Sequence, residues 1–156
     1  CKAIRIHGTK KDKYNSSYIG LNGRLDTFQA AVLLEKLSIF DGELESRENI
    51  STFYRKNFHN AQYIPKNYCS SHALFSIILK SKEERKKFME KLNSENIPSV
   101  IYYKNPIHLM PAYSYLNYSK GDLPVSETLS NKIISLPMHP YLSSSDLTKI
   151  VEVFRN

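Results

Sequence analysis

The chain has 156 residues, of which 41% are hydrophobic and 24% charged, with a formal net charge of +7. These proportions are typical of a globular domain and exclude a wholly disordered chain, a collagen-like repeat and a disulfide-dense scaffold. The two cysteines, Cys1 and Cys69, predict free thiols in a reducing compartment, with a single disulfide as the alternative. No apolar run reaches the ~18 residues of a membrane span, and the N-terminus, which lacks a Met, shows no signal-peptide pattern.

A long helix is predicted over residues 27–60. Asp26, with Gln29 three positions further on, forms a capping box, which is a signature of a helix start. Apolar residues then recur at steps of one, three or four, and Gly42 is the expected position of any bend. These apolar residues are Phe28, Val32, Leu33, Leu37, Phe40 and Leu44, followed by Ile50, Phe53, Tyr54 and Phe58. Because the stripe is wider than a small domain can cover, we expect another surface to pack on it.

The remaining residues, 61–156, predict a small α+β domain. Residues 73–79 are apolar, β-branched and aromatic, which predicts a buried strand. Ser81 opens a capping box and predicts the start of a helix that runs to residue 96. Residues 98–103 predict a second strand, which that helix would join to the first in a β-α-β crossover.

A long irregular stretch, residues 104–121, follows the second predicted strand. Loops of this length inside a compact domain are usually functional or disordered, and the tyrosines here argue against disorder. A helix over 124–134 and a last helix capped within 143–146 complete the chain. The predicted fold class is therefore α+β, with a long helix followed by a small domain that has a short sheet and flanking helices.

Two stretches carry residue types that suit a ligand. Residues 20–24, Gly-Leu-Asn-Gly-Arg, have glycines that allow close backbone approach to an anion and an arginine that pairs with phosphate. An Asn-Gly hairpin turn is the other interpretation of this stretch, and the residues alone favour it. In residues 102–108, Tyr103 and His108 would give a ligand an aromatic face and a polar contact. Tyrosines that simply pack on the sheet are an equal interpretation of that stretch.

The basic residues also have two interpretations. Five lysines and one arginine lie among three glutamates in residues 80–91, which is typical of a solvated helix face. The functional alternative is a stand-alone module for single-stranded nucleic acid, in which tyrosines stack on bases and cations contact phosphates. The sequence contains no P-loop, no GxGxxG motif, no metal-ligand pattern and no arrangement typical of a catalytic triad.

Several motifs, in matching order over nearly the whole chain, resemble the nucleotide-sugar aminotransferases of the DegT/StrS type. The stretches that carry the resemblance are RIHG at 5–8, IGLNGRLD at 19–26, QAAVL at 29–33 with KL at 36–37, YY at 102–103, PIHL at 106–109, GD at 121–122 with Pro124 and Glu127, and SLPMHP at 135–140. A set of ordered motifs is a much more specific signal than any one of them alone.

The resemblance implies a pyridoxal 5′-phosphate (PLP) enzyme on the type I aminotransferase fold, which is α/β in that family. Such enzymes transfer an amino group, commonly from glutamate, to a keto group of a nucleotide-linked sugar, and they work as homodimers with active sites at the subunit interface. Residues 1–26 would then be the end of the large domain with a loop that crosses this interface. Residues 27–60 would be the long connecting helix at the interface, and residues 61–156 the small C-terminal domain.

The resemblance also assigns residues to the site. Asn22 and Arg24 match contacts to the PLP phosphate of the neighbouring subunit, and Tyr103 and His108 match the region of the substrate. The lysine that binds PLP lies upstream of the matching part in that family, so no residue here is expected to be catalytic and the chain is expected to be inactive alone. We therefore expect the C-terminal portion of a cytoplasmic enzyme of amino-sugar or cell-surface polysaccharide synthesis, without nucleic acid or membrane as a partner. A non-catalytic dimerising remnant is a further alternative.

Overall fold

The computed structural model describes residues 1–10, 12 and 14–155. Lys11 and Lys13, in the predicted interface-crossing segment, and Asn156, at the end of the predicted small domain, lie outside the described residues. The chain divides into two compact units, residues 1–41 (the first unit) and 42–156 (the second unit). The helices and strands are α1 (Thr27–Ser38), α2 (Phe40–Asn57), β1 (Phe75–Ile78), α3 (Lys82–Ser94), α4 (Pro124–Lys132), β2 (Ile133–Leu136) and α5 (Ser144–Arg155), with short 3-10 helices at Ile107–Leu109 and Pro111–Leu116.

In the first unit, two short segments lie against each other around a pair of glycines. Asn22 pairs with Ile6 in an antiparallel bridge. A Cβ atom on Gly20 would lie 2.1 Å from the amide nitrogen of Gly8, and Gly8 itself has a φ of +74°. Glycine is needed at both positions because the two backbones approach too closely for a side chain, and because a positive φ strains other residues.

Helix α1 begins with the predicted capping box. The Asp26 carboxylate accepts a hydrogen bond from the Phe28 amide at 2.8 Å, and the Gln29 side chain accepts one from the Asp26 amide at 3.4 Å. No residue of α1, all of which the structure describes, is buried. Its exposed side chains include large apolar ones such as Leu33 and Leu37. This is the apolar stripe that the sequence predicts another surface to cover.

The single helix predicted over 27–60 is two helices. The break falls at Ile39, where φ is −105° and ψ is 0°, and not at Gly42, which lies in the first turn of α2. The hydroxyl of Ser38 donates a hydrogen bond to the carbonyl of Glu35 at 2.6 Å. Local bonds of this kind from serine compete with the backbone bonds that would continue the helix.

The sheet of the second unit has two antiparallel strands. β1 pairs with β2 residue by residue, with Phe75 opposite Leu136. Ala61 bridges to β1 and Val100 bridges to β2, so each strand also has a short backbone neighbour. The strand predicted over 73–79 is confirmed, in the shorter form of β1.

The predicted strand 98–103 is reduced to one bridging residue, Val100, which pairs antiparallel with Ser135 of β2. Because β2 is itself antiparallel to β1, Val100 runs parallel to β1, as the predicted β-α-β crossover requires, but β2 lies between them in the sheet. Residues 133–136 form the second strand, although the sequence predicts that 133 and 134 end a helix. The physical reason is that the β-branched Ile133 and Ile134 pair with a strand far away in sequence, and such pairing overrides local helical spacing.

Aromatic rings connect the helices to the sheet in the core of the second unit. Tyr54 of α2 is fully buried, and its ring centroid lies 4.8 Å from that of Phe75 in β1 and 5.8 Å from that of Phe58. Phe154 of α5 lies 4.8 Å from Phe58 and 5.3 Å from Phe88 of α3. Tilted and edge-to-face pairs of this kind hold α2, β1, α3 and α5 around one core.

Candidate functional site

A cavity of about 510 Å³ opens in the second unit beside α4. Its size lies within the range of about 300–1,000 Å³ that is usual for small-ligand sites. Its wall is mainly apolar and aromatic with a few polar groups, and the lining includes Tyr102, Tyr103, His108, Tyr118, Leu123 and Leu129. Such a wall suits a ligand that has a flat or apolar ring face together with polar edges.

Both residues that the sequence assigns to substrate contact line this cavity. Tyr103 is exposed, and its ring lies edge-on to that of Tyr102 with centroids 5.5 Å apart. His108 lies in the first 3-10 helix and is buried, with its ring edge-on to Tyr118 at 6.1 Å. The structure therefore brings Tyr103 and His108 to one cavity, and their contact with a substrate stays a prediction.

His108 is held by a carboxylate to which the sequence analysis gives no role. Its Nε2 lies 3.2 Å from Oε1 of Glu127 in α4, and the same oxygen accepts a hydrogen bond from the Gly121 amide at 2.8 Å. The bond from Gly121, followed by the bond from His108, holds the pKa of Glu127 below its ordinary value. Glu127 is therefore ionised at neutral pH. The 19-residue separation from His108 is invisible to local sequence patterns.

The predicted Asn-Gly hairpin turn does not form. Residues 20–24 run antiparallel to an earlier segment, and the Gly23 amide donates to the Arg5 carbonyl at 2.8 Å. Neither Asn22 nor Gly23, both of which are described, has the positive φ that a type I′ turn requires at its two central positions. The turn does not form because Gly20 packs against the backbone of Gly8, which keeps this stretch extended instead of reversing the chain.

Asn22 and Arg24 lie in the first unit, and both side chains are exposed. They are two positions apart, and residues i and i+2 of an extended segment lie on the same side of the backbone. An amide and a guanidinium supply N–H donors, which a phosphate accepts. The pair therefore has the chemistry that a phosphate group needs, and its contact with PLP stays a prediction.

The basic face of α3 contains a buried cation that sequence reasoning missed. The five lysines of residues 80–91 are exposed, but Arg85 is buried and its Nη1 donates to the carbonyl of Ser130 at 2.6 Å. That carbonyl lies in the last turn of α4, where helix carbonyls carry partial negative charge. Burial lowers the pKa of Arg85, which nevertheless remains protonated at neutral pH. Arg85 therefore joins α3 to α4 below the cavity wall that α4 supplies.

Two further observations limit the chemistry of the chain. Within residues 1–10, 12 and 14–155, no group of three or more His, Cys, Asp and Glu side chains is placed to hold a metal ion, and no helix has the length and apolar character needed to cross a membrane. Cys1 and Cys69 are exposed and free.

Known proteins are similar to this chain in sequence and in fold. The model of the DegT/DnrJ/EryC1/StrS aminotransferase family matches residues 1–155. The UDP-2-acetamido-2-deoxy-3-oxo-D-glucuronate aminotransferase of Pseudomonas aeruginosa is 30% identical over 99% of this chain and 42% of its own length. The dTDP-3-amino-3,6-dideoxy-alpha-D-galactopyranose transaminase of Aneurinibacillus thermoaerophilus is 31% identical over 96% of this chain and 40% of its own length. A crystal structure of a DegT DnrJ EryC1 StrS aminotransferase from Brucella abortus has a TM-score of 0.86 and 43% identity, and covers 99% of this chain and 41% of that one.

The fold thus matches part of the solved PLP-dependent aminotransferases, and its helices with a short sheet confirm the predicted α+β class. The chain belongs to the DegT/DnrJ/EryC1/StrS aminotransferase family. It spans about 42% of the length of the curated relatives that it matches. This family membership confirms the resemblance in the sequence motifs and does not favour the nucleic-acid module.

Proposed function

We propose that this chain is the C-terminal portion of a PLP-dependent aminotransferase that transfers an amino group, with glutamate as the donor, to a keto group of a nucleotide-linked sugar. The observation that carries the proposal is a family match over residues 1–155 in a chain that spans only about 42% of its relatives. Those relatives are named for UDP-linked and dTDP-linked sugars. The complete enzyme would serve amino-sugar or cell-surface polysaccharide synthesis in the cytoplasm.

Asn22 and Arg24 support a phosphate-binding role for the first unit. When bound to the complete enzyme, PLP supplies the electron sink for amino-group transfer. The part of this chain in that chemistry is to bind and orient the cofactor. The Arg24 guanidinium would neutralise part of the phosphate dianion, and the Asn22 amide would donate one directional hydrogen bond to it. We expect both side chains to reach the PLP of the partner subunit.

The exposed apolar face of α1 supports a homodimer. Phe28, Leu33 and Leu37 are each more than half exposed, and large apolar surfaces of this kind are usually covered by a partner. In the complete enzyme, the large domain and the second subunit would cover this face. Asn22 and Arg24 immediately precede α1, so the same association would bring them to a neighbouring site.

The cavity beside α4 is the proposed site of the nucleotide-linked sugar. The ring of Tyr103 offers a face on which a base or a sugar ring packs, and His108 offers a polar contact at the wall. To test this, the probe UDP-N-acetylglucosamine is titrated into the chain and followed by NMR. We expect Tyr103→Ala to weaken binding about tenfold or more, since stacking on one aromatic ring contributes about 1–3 kcal/mol. Tyr63→Ala, which removes an exposed tyrosine outside the cavity, is the matched control and should bind normally.

The proposed contacts of Asn22 and Arg24 with the PLP phosphate are tested in the assembled enzyme, in which the chain is combined with a large domain. Asn22→Ala and Arg24→Ala should each weaken PLP binding about tenfold to a hundredfold, because hydrogen bonds to charged groups contribute about 1.5–3 kcal/mol. Lys66→Ala removes one exposed positive charge elsewhere and is the control for net charge. Unchanged PLP affinity in both site variants would rule out their assignment to the phosphate.

A further inference from the structure

One carboxylate oxygen ties together the two ends of the stretch that forms the cavity wall. Oε1 of Glu127 accepts from the Gly121 amide at 2.8 Å and lies 3.2 Å from His108 Nε2. The side chains of His108 and Glu127 are only 5% and 15% exposed, so solvent competes little for these bonds. Gly121 has a φ of +102°, a conformation that favours glycine and that turns its amide toward Glu127. The contact between His108 and Glu127 is therefore built into the fold of the second unit.

The ionised carboxylate determines which nitrogen of His108 carries hydrogen. An ionised carboxylate accepts hydrogen bonds and donates none. Nε2 of His108 must therefore be the protonated nitrogen, and in the neutral ring Nδ1 is then a hydrogen-bond acceptor. The bond from Gly121 strengthens this choice, because it favours the ionised form of Glu127.

The remaining nitrogen of His108, Nδ1, makes no hydrogen bond with any residue that the structure describes. His108 lines the cavity together with Tyr103 and Tyr118. Most polar atoms in such a position are paired, either with protein or with water or ligand. An acceptor at the edge of an aromatic wall is complementary to a ligand that has a donor at the edge of a ring.

We propose that Glu127 is a positioning residue that holds His108 as the Nε2–H tautomer, and that His108 Nδ1 accepts a hydrogen bond from an N–H or O–H group of the ligand in the cavity. This inference rests on the proposed function, because it takes the ligand to be a nucleotide-linked sugar. Two parts of such a ligand carry the required donor: the imide N–H of a pyrimidine base and the hydroxyls of the sugar. Glu127 acts on the ligand only through His108.

The tautomer is measured without any ligand. The chain is labelled with 15N-histidine, and the His108 signals are assigned by their disappearance in His108→Gln. We expect a pyrrole-like Nε2 and a pyridine-like Nδ1. Glu127→Gln keeps a side-chain oxygen that accepts from His108, so it should retain this pattern. In Glu127→Ala that acceptor is gone, and the His108 ring should become a mixture of the two tautomers. Glu152→Ala, an exposed carboxylate in α5, is the control. A pyridine-like Nε2 in the wild type, or an unchanged pattern in Glu127→Ala, overturns the role of Glu127.

The ligand contact is measured with UMP, 3-methyl-UMP and N-acetylglucosamine 1-phosphate as probes. His108→Gln retains an N–H donor for Glu127, so it should keep its thermal stability. Because it has no ring Nδ1, it should bind the probe that the wild type binds with about tenfold lower affinity. If His108→Gln loses affinity only for UMP, and 3-methyl-UMP binds weakly to both the wild type and the variant, the imide N–H of the base is the donor. A loss confined to the sugar phosphate identifies a sugar hydroxyl.

The two proposals fail in different ways. If the wild type binds a probe and His108→Gln binds it equally well, the role of Nδ1 is wrong while the proposed function stands. If the wild type binds none of the three probes, the cavity is not the substrate site, and the ligand role of Nδ1 is wrong with it. The tautomer measurement decides the role of Glu127 in either case.

Discussion

Replacing Tyr54 by phenylalanine removes one oxygen atom from the centre of the core. The hydroxyl of this fully buried residue donates to the carbonyl of Pro137 at 2.9 Å, and its ring packs on Phe58 and Phe75. Phenylalanine keeps the ring contacts and leaves the carbonyl without its donor. Because an unpaired buried polar group costs about 1–3 kcal/mol, we expect the free energy of unfolding at pH 7 to fall by about that amount.

The pH dependence of this loss gives a second, independent readout. Burial, reinforced by the charge of Asp146, raises the pKa of Tyr54 well above its ordinary value of about 10. The unfolded chain therefore releases this proton first as the pH rises. The stability that Tyr54 contributes is complete below about pH 10 and is lost as the pH rises toward the native pKa, by up to about 1.4 kcal/mol per pH unit. The difference between wild type and Tyr54→Phe should accordingly narrow above pH 10.

Urea unfolding at pH 7, 9 and 10.5 measures both effects. Tyr68→Phe, which removes the hydroxyl of an exposed tyrosine, is the matched control and should change the free energy of unfolding by less than about 0.5 kcal/mol at pH 7. A loss below about 0.5 kcal/mol for Tyr54→Phe, or a difference from wild type that stays constant through pH 10.5, would refute the reasoning.

Four further substitutions test particular parts of the fold by chemical denaturation. Gly42→Ala should stabilise α2 by about 0.5–1 kcal/mol, since a Cβ there meets no atom within 4 Å. Gly20→Ala should instead disrupt the first unit, because the Cβ would lie 2.1 Å from a backbone nitrogen. Equal effects of the two substitutions on the free energy of unfolding would contradict this difference between the two glycines. Arg85→Ala should cost about 1–3 kcal/mol, because a buried carbonyl of α4 loses its donor, and a neutral result would contradict the tie between α3 and α4. Hydrogen bonds from Ser143 lower the pKa of Asp146. The stability that they contribute is therefore present above the ordinary pKa of about 3.9 and is lost as the pH falls through the lower native value. Ser143→Ala should be less stable than the wild type at pH 7, and this difference in the free energy of unfolding should shrink at acid pH; a difference that grows would contradict the reasoning.

Features that depend on neighbouring residues could be predicted from the sequence. The caps are the clearest case: Asp26 accepts from Phe28, Ser81 accepts from the Glu84 amide at 3.1 Å, and Ser143 accepts from the Asp146 amide at 3.2 Å. Each bond spans two or three residues, so the residue types at that spacing suffice to identify the helix start.

Features that depend on distant residues could not be predicted. Ile133 and Ile134 have helical spacing, and only the pairing with β1 makes them a strand. Likewise, the Asn-Gly pattern predicts a turn, but the contact of Gly20 with Gly8 makes that stretch extended. In the candidate site, Tyr103 and His108 were predicted from the motifs, whereas the bond between His108 and Glu127 depends on how residues 104–121 fold back on α4.

The absorption spectrum of PLP tests the central proposal most directly. PLP is added to the chain alone, to a large domain expressed separately, and to the two together. The proposed function predicts that the absorption band of enzyme-bound PLP appears with both parts present and that the chain alone gives no adduct that borohydride reduces. A reducible adduct at one specific lysine of the chain alone would contradict the proposal that this portion binds PLP only through its phosphate and depends on the rest of the enzyme for its chemistry.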